Sequence, residues 1–510
     1  MDKIQSAYKS LLKRTKQRIV LQSAESIIQW DMETMMPPKA VEQRSQQLAL
    51  LSLLSHKMST APEIGKLLNA ILKDSQYEAL NEVEKRNIHL IKKNYYEQTA
   101  LPEKLVSEIA KQQAITVNVW KKAKKAKNFA ILKPELEKLV NLSKQAAQIR
   151  MKVKETTTPY DALLDNYEPK MTAEAITATF NELQRGLATI AEKTQNSQNQ
   201  PNTSVLRIRV PVEKQREIAR SLTKTLSYDT DSPKAGGRID ETEHPFTNGY
   251  YDDVRITTHY HPDNYTSSIF SVIHETGHAL YEQNLNSKWK YQPVGSPCSY
   301  GFHESQSRLY ENIIGRSEEF WTHMLPKLKQ IAEPTLSDVS VSQFVHAINK
   351  VEPSKIRIEA DEVTYNLHVI IRFQIEKDLF TDKISVNELP EIWNQKYKEL
   401  LGVKVGNESE GVMQDTHWAS GYYGYFPSYA LGNIYSGQLL AELQKDLPNW
   451  RSQLSQGNLK VIKAWLVKNV HSCGNLYDPV DLIRRITGKE LDAIPYLEYL
   501  GEKYSKLYNL

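Results

Sequence analysis

Apolar residues that return at three- and four-residue intervals constrain this chain more than any other feature. In "APEIGKLLNAILKDSQYEALNEVEKRNIHLIKKNYYEQ", Ala61 to Gln98, they recur with charges between them. On a helix of 3.6 residues per turn, that spacing gathers the apolar side chains into a stripe that a neighbour must cover. The pattern runs through most of the sequence. Only 20 of the 510 residues are glycine, as helices joined by short turns require. The expected fold class is mainly α. A chain of this length can bury core enough for two or three ordinary domains or one large one; no internal repeat is seen, and a single large helical domain over residues 1–510 is the expectation.

The pattern breaks mid-chain. "TQNSQNQPNTS", Thr194 to Ser204, is polar, proline-punctuated and aperiodic, and marks a loop. After it, "SVLRIRVPV" reads as a short strand, and "DVRITT", Asp253 to Thr258, is a β-branched run of strand type. A small sheet is therefore expected within residues 205–262.

Charge excludes some partners. The 65 basic and 61 acidic residues leave a net +4, too little to imply a nucleic-acid or membrane partner. The lysines of "KKAKKAK", Lys121 to Lys127, read as a solvated helix face. No apolar run is long enough for a membrane span, and the first twenty residues lack a signal-type apolar core. The two cysteines, Cys298 and Cys473, form no disulfide framework and read as small buried side chains. A cytoplasmic protein is expected.

The chemistry-bearing stretch is "SVIHETGHALYEQ", Ser271 to Gln283, on a helix expected to start near Ser267. His274 and His278 lie one turn apart, so both imidazoles leave the same face and can share one zinc ion. Glu275 sits about 100° further round, near the metal but angled away from ligation, where a carboxylate can take a proton from water. With thirteen histidines in the chain, composition alone predicts only roughly a few hundredths of such a motif. A catalytic site of this type needs a third protein ligand. Tyr281 and Asn284 occupy the positions where a metzincin would carry glycine and histidine. The candidate ligand is Glu304 in "GFHESQSRLYENIIGRS", with Glu311 as the alternative or as a supporting group. His303 points off the Glu304 face and reads as structural.

Taken in order, "QWDMETMMPP", "YDALLDNYEP", "HPF", "DVRIT", "HETGH", "HESQSR", "IRIEAD", "GVMQDTHW" and "GYYGYFPSYALGN" closely resemble the carboxypeptidase Taq family of zinc metallocarboxypeptidases. The match covers nearly the whole chain. Lys170 after "YEP" and Phe302 before "HES" depart from the family pattern without touching the chemistry. The resemblance implies zinc ligation by His274, His278 and Glu304, with Glu275 as catalytic acid/base. It also implies a neurolysin-like or converting-enzyme-like helical fold with a deep groove, and a homodimer. The expected activity is broad release of single residues from peptides with a free C-terminus. A zinc endo-oligopeptidase on the same frame is the alternative. Two histidines and a carboxylate also accept Co2+ or Mn2+.

Such a reaction needs a second donor for the developing oxyanion. "HWASGYYGYF" supplies His417, Tyr422, Tyr423 and Tyr425. By similarity Tyr425 is the first choice, with Tyr422 positioning substrate; the competing reading is a packed loop with ordinary hydroxyl partners. A tail carboxylate is best met by a guanidinium. The family pattern favours Arg357 for this role, with Arg255 shaping the end of the groove. Either arginine could instead form a buried ion pair, with Asp361 or Asp253 as partner.

Overall fold

A computed structural model describes residues 2–510, and the chain is mainly helical with one small sheet. The longest helix, Asp2–Thr34, leads in, and helices Pro62–Leu72 and Glu82–Thr99 pack near it around Tyr8, Leu11, Leu68, Ile71 and Ile88. The stretch Ala61–Gln98 thus forms helices, as its periodicity requires. Asn81 starts the second of them with a capping box, its side chain accepting from Glu84 N–H while Glu84 accepts from Asn81 N–H. A second, far larger core runs from Ala123 to Tyr508. The two meet through polar contacts. Asn87 donates to Tyr8 Oη and to Gln292 Oε1, and Arg86 forks onto Asp478 and Asn475.

The sheet has three strands, β1 (Gly237–Glu241), β2 (Thr247–Tyr250) and β3 (Asp253–Thr258), in the order β1-β3-β2. β1 runs parallel and β2 antiparallel to β3, with Thr247 opposite Ile256. One expectation needs correction: "SVLRIRVPV" is not a strand. Ser204–Arg207 is a short 3-10 turn, and Val210 N–H donates to Pro262 O while its carbonyl accepts from the Gln215 side chain, neither in a strand ladder. Pro211 cannot donate to a ladder and instead leads into helix Val212–Thr225.

The sheet lies against helix Tyr265–Gln283, which carries the histidine motif and is buried on most of its circumference. It begins two residues before Ser267. Asn264 stands at its cap, but the Asn264 side chain accepts from the Thr266 hydroxyl and not from the backbone. Helix Tyr300–Arg308 packs beside it, and helix Pro427–Asp446 closes the far side. No helix among the described residues is long and apolar enough to cross a membrane.

Candidate active site

Two glycines decide where Glu304 sits. A Cβ on Gly277, between the motif histidines, would stand 2.6 Å from Gln306 O and 2.7 Å from Ser307 Cα. A Cβ on Gly432 would stand 2.6 Å from Glu304 Cγ. Only hydrogen fits at these crossings, so helix Tyr300–Arg308 is pressed between its neighbours with Glu304 facing the histidines.

The donor atoms converge. Glu304 Oε2 is 3.8 Å from His274 Nε2 and 3.4 Å from His278 Nε2. Ligands about 2.0–2.1 Å from a tetrahedral ion lie about 3.3 Å apart, so this spacing suits a zinc-sized cation with little adjustment. The hydrogen-bond chemistry agrees. His274 Nδ1–H donates to Glu311 Oε2 at 2.8 Å, which leaves Nε2 with its lone pair. His303 Nε2–H donates to Glu282 Oε1 at 2.9 Å, so His303 Nδ1 accepts from His278 Nδ1–H at 2.6 Å. His278 Nε2 is therefore bare as well. Arg308 Nε takes Glu304 Oε1 at 2.6 Å, and Oε2, with only the Ser307 hydroxyl at 3.2 Å, faces the imidazoles. Each ligand is oriented from behind, as metal sites require.

Charge points the same way. Burial lowers the His274 imidazole, but Glu304, Glu311 and Glu275 outweigh it and raise its pKa. Burial and then the His303 ring push His278 down to about 3. Burial would raise Glu304, but Arg308 and His274 overcome it and hold the carboxyl well below its usual range. Three carboxylates around two imidazoles form a site that calls for a cation. The donor set fits a divalent metal.

Two of these residues, His303 and Glu282, were not legible as site residues. His303 was expected to be structural, yet its ring stacks 4.5 Å from that of His278. Glu282 stands four residues after His278, one turn along the same face, and that spacing was the available signal. Glu311 reaches His274 because the helix widens into a π turn at Leu309–Ile314, a feature common at functional sites and invisible to periodicity.

The site opens into a cavity of about 860 Å³. Glu275, Thr247, Tyr425 and Tyr429 line it, and helix Glu82–Thr99 forms a wall with Arg86, Lys93 and Asn94. Lys93 pairs with Asp165 at 2.7 Å. Tyr425 packs edge-on against Tyr167, Tyr300 and Tyr429. Tyr429, one turn after Tyr425, was not anticipated. His417 is set one layer back, its Nε2 3.2 Å from Tyr429 Oη, and burial lowers it to about 4.

Four expected site residues, Tyr422, Tyr423, Arg255 and Arg357, do not line the cavity. Tyr423 is buried, and its hydroxyl donates to Trp418 O at 3.0 Å, so it packs the loop. Tyr422 is 52% exposed and lies outside the cavity lining. Arg255 forks onto Asp253, two residues away on the same strand face, and lies over the Trp30 ring at 4.4 Å, not at the groove end. Arg357 is buried, with its fork on Asp415 and Nη1 on Tyr365 Oη at 3.1 Å. Its partner is Asp415, which Arg372 shares at 2.6 Å. Asp361 instead accepts from the backbone of Val363 and Thr364.

A helical frame with this donor set beside a cavity of this size is the arrangement of a metal-dependent peptidase. Residues 10–504 match the family described as carboxypeptidase Taq (M32) metallopeptidase. The chain belongs to that family. It is 38% identical over 488 residues to carboxypeptidase 1 of Bacillus subtilis, covering 96% of both chains. It is 37% identical over 511 residues to thermostable carboxypeptidase 1 of Thermus thermophilus, covering 99% of both. The crystal structure of M32 carboxypeptidase from Deinococcus radiodurans superposes with a TM-score of 0.94 at 33% identity, covering 99% of this chain and 100% of that one. The protein is a metallocarboxypeptidase acting with a divalent metal.

Proposed function

We propose that this single-domain protein is a zinc carboxypeptidase that removes one residue at a time, with broad side-chain preference, from peptides with a free C-terminus. The observation that carries this reading is the convergence of His274 Nε2, His278 Nε2 and Glu304 Oε2 beside Glu275 at the cavity. When bound, a divalent ion supplies Lewis acidity, bringing the pKa of water toward about 7 and polarising the scissile carbonyl. Co2+ and Mn2+ suit the same donors.

In this reading Glu275 takes the proton of the attacking water and delivers it to the leaving amine nitrogen. Tyr425 donates its hydroxyl to the carbonyl oxygen as charge develops there, with Tyr429 beside it and His417 behind. Arg357 and Arg372 share the single carboxylate of Asp415. That cluster keeps a net positive charge behind the Tyr429 ring, which lies 4.9 Å from Arg357 Cζ. A tail carboxylate at the cavity end feels that charge through a low-dielectric wall.

Val20 and Ile27 on the first helix, and Val41, Leu50, Leu53 and Leu54 on the second, Val41–Ser59, are exposed. These apolar side chains support a homodimer. The thiols of Cys298 and Cys473 are free, which fits a cytoplasmic setting.

The test is mass spectrometry of paired peptides, free and C-terminally amidated, with and without a chelator. Stepwise loss of single residues from the free peptides alone, abolished by chelation, is the expected result. Equal internal cleavage of amidated peptides would instead identify an endo-oligopeptidase.

A further inference from the structure

Glu275 is held by something other than the helix that carries it. The Thr247 hydroxyl, on the first residue of β2, lies 2.7 Å from Glu275 Oε2 and 3.0 Å from Glu275 O. Among the described residues no other donor meets that carboxylate, and Oε1 receives none. We propose that Thr247 is a positioning residue for the reaction, fixing Glu275 so that Oε1 faces the water to be deprotonated. This rests on the reading of Glu275 as the proton acceptor.

The strand is well placed to do this. Phe246 N–H donates to Thr257 Oγ1 at 2.8 Å, and Thr257 N–H returns a bond to Phe246 O at 2.9 Å, which locks the entry to β2. Successive strand residues point to opposite faces. Thr247 therefore points to the motif helix, while Asn248 points away and donates to Ser26 O on the first helix at 2.9 Å. The hydroxyl stands on a segment fixed on both faces. A glutamate side chain otherwise retains up to about 2 kcal/mol of rotamer freedom. A reacting group misplaced by about 1 Å loses up to about 10²-fold in rate. One hydroxyl bond that stops the carboxylate from turning thus acts on kcat and not on substrate affinity.

The experiment compares Thr247→Val, which keeps the shape and loses the hydroxyl, with Thr247→Ser, which keeps the hydroxyl. Both are measured in the metal-loaded protein for kcat, KM, metal content and Tm. Thr247→Val is expected to lower kcat by roughly 10- to 10²-fold with KM, metal content and Tm unchanged, and Thr247→Ser to recover most of the loss. In a Glu275→Gln background, Thr247→Val should cost nothing further, because the group it positions is gone. The inference is overturned by full kcat in Thr247→Val, by a loss confined to KM, or by an undiminished effect beside Glu275→Gln. An active Glu275→Gln single variant would instead remove the reading of Glu275 and leave the Thr247 contact a matter of packing.

Discussion

His303 Nδ1 lies 2.6 Å from His278 Nδ1, and its other nitrogen meets Glu282 at 2.9 Å, so a carboxylate orients one imidazole through a second. Removing such a supporting group typically costs about 10- to 100-fold in metal affinity. His303→Phe should therefore weaken binding by that factor in competition with a chromogenic chelator. Glu282→Gln should show a smaller loss in the same direction. Unchanged affinity in His303→Phe would return that ring to a packing role.

Glu275→Gln keeps the side-chain volume and the Thr247 contact but removes the proton acceptor. General acid–base transfer contributes roughly 10²–10⁴-fold. A kcat loss of that size is expected, with metal content by elemental analysis unchanged.

Gly432→Ala would place a methyl 2.6 Å from Glu304 Cγ. Overpacking of this kind costs about 1–3 kcal/mol. The denaturation midpoint should fall, and because the displaced group is a proposed ligand, metal affinity should fall with it. A variant that loses stability alone would show that Glu304 can shift without leaving the ion.

Arg357→Ala breaks a buried pair. Side chains of Arg357 and Asp415 are 6% and 14% exposed, but Arg372 keeps Asp415 paired at 2.6 Å, so the loss should stay below the about 3–5 kcal/mol of a buried charge left alone. Calorimetry should register that loss. On the fraction that remains folded, KM for free-tail peptides should rise more than KM for amidated ones. Equal rises would confine Arg357 to the structural role.

Glu376 is fully buried and accepts from Tyr160 Oη, Trp418 Nε1 and Gly424 N–H at 2.9, 2.7 and 2.9 Å. Burial outweighs these donors and raises its pKa from 4.5 to about 7. A carboxyl with a raised folded pKa binds its proton more tightly when folded. Its contribution to stability is complete below about 4.5 and is lost as pH climbs to about 7. Glu376→Gln cannot ionise, so its Tm should gain on the wild type as pH rises from 5 to 8. A constant Tm difference would show that the three donors already keep Glu376 charged at pH 5.

The helices and the motif pair were legible because both rest on local spacing: apolar residues at three and four, His274 and His278 at four. Glu304 was the candidate third ligand from its place in "GFHESQSRLYENIIGRS", after the motif. Support across elements was legible only in part. Glu311 was already a candidate ligand or supporting group, and it meets His274 Nδ1 from the π turn. His303 reaches His278 through the inter-helix packing that Gly277 allows, which leaves no periodic trace. Arg357 and Arg255 were assigned by the chemistry of a guanidinium, but each was already satisfied, Arg357 by Asp415 some sixty positions away and Arg255 by its near neighbour Asp253. "SVLRIRVPV" failed as a strand because Pro211 removes a donor where a ladder would need one.

The backward-facing bonds of the three ligands carry a consequence for how the enzyme acquires its ion. Glu311, His303 and Arg308 orient His274, His278 and Glu304 with protein–protein contacts alone. If His274, His278 and Glu304 hold the ion as proposed, these contacts should preorganise the socket, so that chelation silences the peptidase while leaving its circular dichroism intact.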